Sequence, residues 1–237
     1  MALPKLNTPT YELEMPSTDE KIKYRPFLVK EEKILMMALE TKDNAQIINA
    51  VKDIVTECTF NKVNIENIPM FDTEYIFLQI RSKSVGEVSK IKILCPDDNK
   101  TYVNVEIDLN EVAVQVDDGH TNKIELTDSM GLIMTYPNIN SFTESGIQEI
   151  NASNMLDVIG ACILQIYEDN GEKVYEAKDQ TKKELTEFIE SMNTEQFIKV
   201  QSFFDTMPKL KHTIKVKNPK TKKTSDVTLS GLSDFFA

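Results

Sequence analysis

The groups that could do chemistry are few and scattered. Only two histidines occur, His120 and His212. A catalytic histidine needs a nucleophile or a metal beside it, and no sequence pattern signals one here. His120 sits in Asp117-Asp118-Gly119-His120, a turn in which an exposed ring is expected, and His212 opens a strand. The cysteines Cys58, Cys95 and Cys162 lie far apart. An odd number without close spacing argues against a disulfide framework or a zinc knuckle and for free thiols in a reducing compartment. No G-x-S-x-G elbow, Walker A loop, H-E-x-x-H helix or dinucleotide fingerprint is present. Seven glycines leave little backbone for cradling phosphates. Carboxylates are so plentiful that a pair such as Asp117 and Asp118 reads first as a solvated turn. That turn also lacks the alternating ligands and closing Glu of a calcium loop. No catalytic, cofactor-binding or metal-ligating residue is therefore assigned.

Charge separates the chain into two characters. The net charge is −11, yet the segment from Lys209 to Lys223 holds seven lysines and no acid. Removing those seven from the 27 basic residues leaves 20 against 38 acids, a balance of −18 for the rest. An acidic body repels phosphate, which argues against nucleic acid as a partner. The basic segment could meet an acidic protein face or form a solvated hairpin. No apolar run of about eighteen residues appears, so no membrane span is expected. The start shows no secretory pattern, and the chain is expected to stay in the cytosol where it is made. Hydrophobic residues at 41% suffice for a real core.

The elements that would position these groups begin with Tyr11, Leu13 and Met15, which alternate with Glu12 and Glu14. After a polar turn, Ile22 and Tyr24 alternate with Lys21, Lys23 and Arg25. Period-two alternation about a turn predicts a β-hairpin with acids opposite bases on the outer face. Helix formers fill Lys30 to Glu40. Asp43 three residues before Gln46 predicts a second helix start, with Cys58 on its apolar face. A third helix is expected from near Pro69 or Phe71 to about Ser82, ended by Ser84-Val85-Gly86. A second hairpin follows through the turn Cys95 to Lys100. Val112, Val114 and Val116, then Lys123 to Tyr136, add further strands, so a small antiparallel sheet of about four strands is expected here.

The last third reads as helical. Met155, Ile159, Cys162, Ile163 and Ile166 form one stripe, and Thr181 with Glu184 and Thr194 before Phe197 mark two more helix starts. A third hairpin runs from His212 to Lys217 and back from Ser225 to Leu229. Both late hairpins carry a proline one step into the turn, at Pro96 and Pro219. The chain closes on Phe235-Phe236, and adjacent aromatics cannot share one core position. Either one is clamped in the chain's own core while the other reaches outward, or both enter a partner. Removing residues 231–237 is accordingly expected to weaken assembly more than folding.

Three stretches carry a family resemblance: Tyr11 to Thr18 leading into Ile22-Lys23-Tyr24-Arg25-Pro26-Phe27-Leu28-Val29-Lys30-Glu31-Glu32-Lys33; the run from Phe71 to Glu87; and Gly231-Leu232-Ser233-Asp234-Phe235-Phe236. In these stretches, and in the order of elements between them, the chain resembles the T4-type baseplate protein family, the hub subunits of T4-like myophages. The resemblance implies a non-enzymatic structural component or assembly factor of a contractile phage tail. Its partners would be other hub, wedge or tail-tube proteins, with a homo-oligomer as a further possibility. It would be found in the host cytoplasm during assembly and in the virion baseplate. Similar proteins often carry a Cys-Pro-x-Cys-Gly knuckle in the last hairpin. Here those positions read Asn218-Pro219-Lys220-Thr221, and Cys95 alone cannot replace a site that wants four ligands.

The fold expected is α+β, with short antiparallel hairpins interleaved with two helical groups. Five segments are delimited: an N-terminal hairpin arm over 1–29, a helical segment over 30–89, an antiparallel segment over 90–140, a helical segment over 141–207, and a hairpin with tail over 208–237. They are compatible with one compact unit. Candidate partner contacts are Arg81, Lys83, Ser84 and Glu87, where the third helix ends, together with Phe235 and Phe236. The helix-end cluster reads equally as a cap and turn. The rival functions are a transient tail assembly chaperone absent from the virion and a tail-associated cell-wall hydrolase.

Overall fold

A computed structural model describes residues 6–41, 43–143 and 154–236. In chain order, strands β1 (Tyr11–Glu14) and β2 (Lys21–Tyr24) precede helices α1 (Val29–Thr41), α2 (Asn44–Cys58) and α3 (Met70–Val85). Five strands follow: β3 (Val88–Leu94), β4 (Tyr102–Asp108), β5 (Ala113–Gln115), β6 (Lys123–Glu125) and β7 (Gly131–Met134). Next come α4 (Ile139–Thr143), α5 (Met155–Ala161), β8 (Ile163–Glu168) and β9 (Lys173–Glu176). Helices α6 (Lys182–Glu190) and α7 (Thr194–Thr206), strands β10 (Lys209–Lys217) and β11 (Thr224–Ser230), and helix α8 (Leu232–Phe236) complete the chain. Every strand pairing described is antiparallel. The fold is α+β. It divides into two compact units, Met1–Gln115 with Lys209–Ala237, and Val116–Pro208.

In the first unit the β1–β2 hairpin forms as its alternation predicts. Leu13 faces Ile22 on the buried side, while Glu12 faces Lys23 and Glu14 faces Lys21 on the outer side. The following residues bind this arm to the helices. Arg25 Nη2 meets Glu31 Oε1 at 2.9 Å, and both side chains are largely buried. Glu31 Oε2 also accepts from the Leu28 backbone N–H at 2.7 Å, closing the first turn of α1. The Arg25 backbone N–H donates to the Cys58 carbonyl, and Cys58 is fully buried at the end of α2, as its stripe predicts. Asp43 starts α2 by accepting from the Ala45 N–H, with Gln46 Nε2 donating back to the same carboxylate. Helix α3 is buried nearly all round and ends at Gly86, whose φ of 129° lies in a region that side-chain-bearing residues avoid.

The expected four-stranded sheet after α3 does not form there. β3 pairs with β4 alone, while β5 leaves them and joins the far end of the chain in the order β11-β10-β5. The alternation of Val112, Val114 and Val116 shows a strand but does not name its neighbour. The neighbour is Leu210, opposite Val114. A single core unites these pieces: Leu78 from α3, Ile91, Ile93 and Cys95 from the β3–β4 hairpin, Leu210, Val216 and Leu229 from the last, and Phe235.

The second unit holds the four-stranded sheet, β6-β7-β8-β9. Helices α6 and α7 supply Ile189, Val200 and Phe203 to a core with Leu132, Met134, Ile163 and Ile166. The stripe from Met155 to Ile166 is not one helix. It splits after Ala161, and its second half is strand β8. The register slips between Ile133 and Met134, which face Gln165 and Ile163, so Leu164 bulges out and stands 48% exposed. A bulge places residues three apart on the same face of a strand. Ile163 and Ile166 thereby imitate helical spacing while being β-branched and paired. Strand β9 is likewise absent from the sequence reading. Gly131 has no substitute, because a Cβ there would lie 2.2 Å from Tyr167 Oη and 2.3 Å from the Ile124 carbonyl. Thr181 and Glu184 form the capping box expected for α6, whereas α7 starts one residue earlier than read, on a box of Asn193 and Gln196.

Candidate functional site

The C-terminal end of α3 gathers the predicted contact residues but gives them different roles. Lys83 pairs with Glu87 one turn on, and its ammonium also lies 5.8 Å from the centre of the Tyr11 ring. The Lys83 pairing, and to a lesser degree an Asn110 hydrogen bond, hold Glu87 below the usual carboxylate range. Arg81 Nη1 donates to the Gly86 carbonyl at 3.2 Å, and partial burial lowers its pKa. Ser84 turns inward. Its hydroxyl donates to the Ile80 carbonyl and accepts the Phe27 backbone N–H at 2.9 Å, tying the arm to α3. Two apolar neighbours escaped sequence reasoning: Val85 and Val88 are 58% and 49% exposed beside the ion pair. Lys83, Val85, Glu87 and Val88 follow closely in sequence where α3 gives way to β3, while Arg81 and Ser84 bond to backbone groups of Gly86, Ile80 and Phe27.

The chain's closing residues go inward. Phe235 is fully buried in the first unit's core, and its carbonyl accepts from the buried Ser89 hydroxyl at 2.6 Å. The ring fills the molecule itself rather than reaching outward, which excludes the arrangement in which both phenylalanines enter a partner. The side chain of Phe236 lies outside the described residues. Glu74 on α3 receives the Leu232 backbone N–H at 3.4 Å, and burial pushes its pKa up to about 7. Asp72 on the same helix is wholly buried and accepts from the Ser17 N–H at 3.1 Å and the Ser17 hydroxyl. Burial raises its pKa against the opposing pull of those two bonds.

The residues that might have done chemistry are engaged elsewhere. His120 is not an exposed turn residue. Its Nδ1 lies 2.9 Å from Thr206 Oγ1 and its Nε2 3.0 Å from Tyr136 Oη, within a stack that includes Phe203. Burial lowers its pKa, with Asp117 opposing. His212 stands inside β10, opposite Leu229, rather than at a strand's opening. Burial raises the thiol of Cys58 to about 11 and that of Cys162 to about 12, the wrong direction for a nucleophile. Among the described residues no three His, Cys, Asp or Glu side chains converge as a metal would need. No described helix is long and apolar enough to cross a membrane.

The two proline turns meet. Asn218 Nδ2 donates to Asp97 Oδ1 at 2.9 Å, and the Thr221 hydroxyl donates to Asp97 Oδ2. Asn218, itself buried, accepts the Lys220 and Thr221 N–H groups on Oδ1. The Thr221 and Asn218 bonds hold Asp97 below the ordinary carboxylate range. The last hairpin is therefore latched to the β3–β4 hairpin by hydrogen bonds from Asn218 and Thr221, two of the positions that carry a cysteine knuckle in similar proteins.

A family comparison identifies the class of protein. The profile of the T4 bacteriophage base plate protein family matches residues 8–237, and the chain belongs to that family. Comparison with curated proteins and with solved structures gives no significant match.

Proposed function

We propose that this chain is a non-enzymatic subunit of the baseplate hub of a contractile phage tail, joined to other hub, wedge or tail-tube proteins by surface contacts. The family match over nearly the whole length carries the reading. Its physical support is the fate of the reactive groups: both nitrogens of His120 are occupied and the buried thiols are raised in pKa. The contact surface proposed is the α3 end, where Lys83 and Glu87 flank the exposed Val85 and Val88. Charged and apolar side chains mixed in this way suit a specific protein partner, the charges fixing orientation and the valines supplying desolvation.

Glu87→Lys and Val85→Asp test this surface, because neither residue is buried. Tagged protein from infected cells should sediment with baseplate intermediates when wild type and fall to the free fraction in both variants, at unchanged melting temperature. Co-sedimentation unaffected by either change rejects the surface. A wild-type chain that sediments with tail intermediates but never appears in finished particles marks a transient chaperone instead of a hub subunit.

A further inference from the structure

Helix α1 is covered on one side only. Glu31 and Ala38 face the interior. On the opposite side Val29 is 80% exposed, Met36 57% and Met37 58%. With Glu32, Lys33 and Glu40 they frame a shallow groove of about 250 Å³. Methionine suits such a face, since its flexible, polarisable chain adapts to an opposing surface.

The charges on this face say what fills it. Lys33 and Glu40 are seven residues apart, in line with Val29 and Met36 along this face, and neither forms an ion pair among the described residues. Pairing two copies of α1 in parallel would set Lys33 against Lys33 and Glu40 against Glu40. Pairing them antiparallel about a twofold axis near Met36 and Met37 sets Lys33 of each copy opposite Glu40 of the other, twice. Methionines then pack on methionines at the axis. One patch supplies both halves, which is what an isologous interface requires. We infer that α1 is a homodimerisation helix, and that a second copy of this chain covers its outer face in antiparallel register. This inference draws on α1 alone and holds or fails apart from the hub reading.

Sedimentation equilibrium of the purified full-length chain tests it. A concentration-dependent dimer is expected. Lys33→Glu and Glu40→Lys each turn two attractive pairs into two repulsive ones and should raise the dissociation constant about tenfold. The double variant K33E/E40K restores both pairs and should return the constant to within about threefold of wild type. Met36→Asp should leave monomer only, with an unchanged circular dichroism melt. A wild-type chain that is monomeric at every concentration overturns the inference. So does a dimer indifferent to either single charge reversal, or one that the double variant fails to rescue. A face that binds some other baseplate protein while the chain itself stays monomeric overturns it too.

Discussion

Several of the residues that mark the family in this sequence are internal fasteners. Arg25 and Glu31 form a largely buried ion pair, and removing one partner leaves the other charge uncompensated. Burial by itself would raise Glu31, yet the Arg25, Leu28 and Lys30 bonds bring its pKa below the usual value. Arg25→Ala should therefore lower unfolding free energy by about 2–4 kcal/mol in a urea titration. Glu74 supplies a pH signature. Its folded-state pKa of about 7 stands above the ordinary 4.5, because burial disfavours the charged form. The stability tied to the protonated acid is whole below about pH 4.5 and is lost as pH rises through about 7. Glu74→Gln should thus be more stable than wild type by about 1–2 kcal/mol at pH 8, with the gap closing toward pH 4.5, read from paired thermal melts.

At the scale of elements, the tail and the last hairpin are structural. Phe235→Ala removes a fully buried ring and should cost about 3–5 kcal/mol. Removal of residues 231–237 takes the same buried ring with it and should lower the melting temperature as well, a cost that the balance expected from sequence left small. Asn218→Ala strips the latch between the two proline turns, leaving two backbone N–H groups without their side-chain acceptor. About 1–3 kcal/mol of lost stability is expected, measured by chemical denaturation. Much of this architecture was legible. Alternating runs such as Tyr11 to Arg25 and capping pairs such as Thr181 with Glu184 encode local structure in adjacent residues. The failures share one cause, a partner distant in sequence. Nothing near Val114 announces Leu210, and nothing near Ile163 reveals the bulge that mimics a helix. The candidate site follows the same rule. Lys83 and Glu87, one helical turn apart, could be paired by counting, whereas Ser84 serves the backbone of Phe27, 57 positions away. Phe235 could be placed only once Ser89 was seen to hold its carbonyl.

For the whole molecule, the three resemblance stretches fall within one unit and touch. Ser17 meets Asp72, Phe27 meets Ser84, Glu74 meets Leu232. Their pattern is readable because each supports the others in one core, leaving partner surfaces free to be built from exposed residues such as Val85, Val88 and Met36. The hub-subunit role proposed above implies that the chain is retained in the finished particle. Quantitative mass spectrometry of purified virions tests that claim most directly. Peptides from both units should be recovered at a fixed ratio to the tail-tube protein, the same in every preparation. A chain abundant in infected cells but missing from finished virions would contradict a structural place in the baseplate.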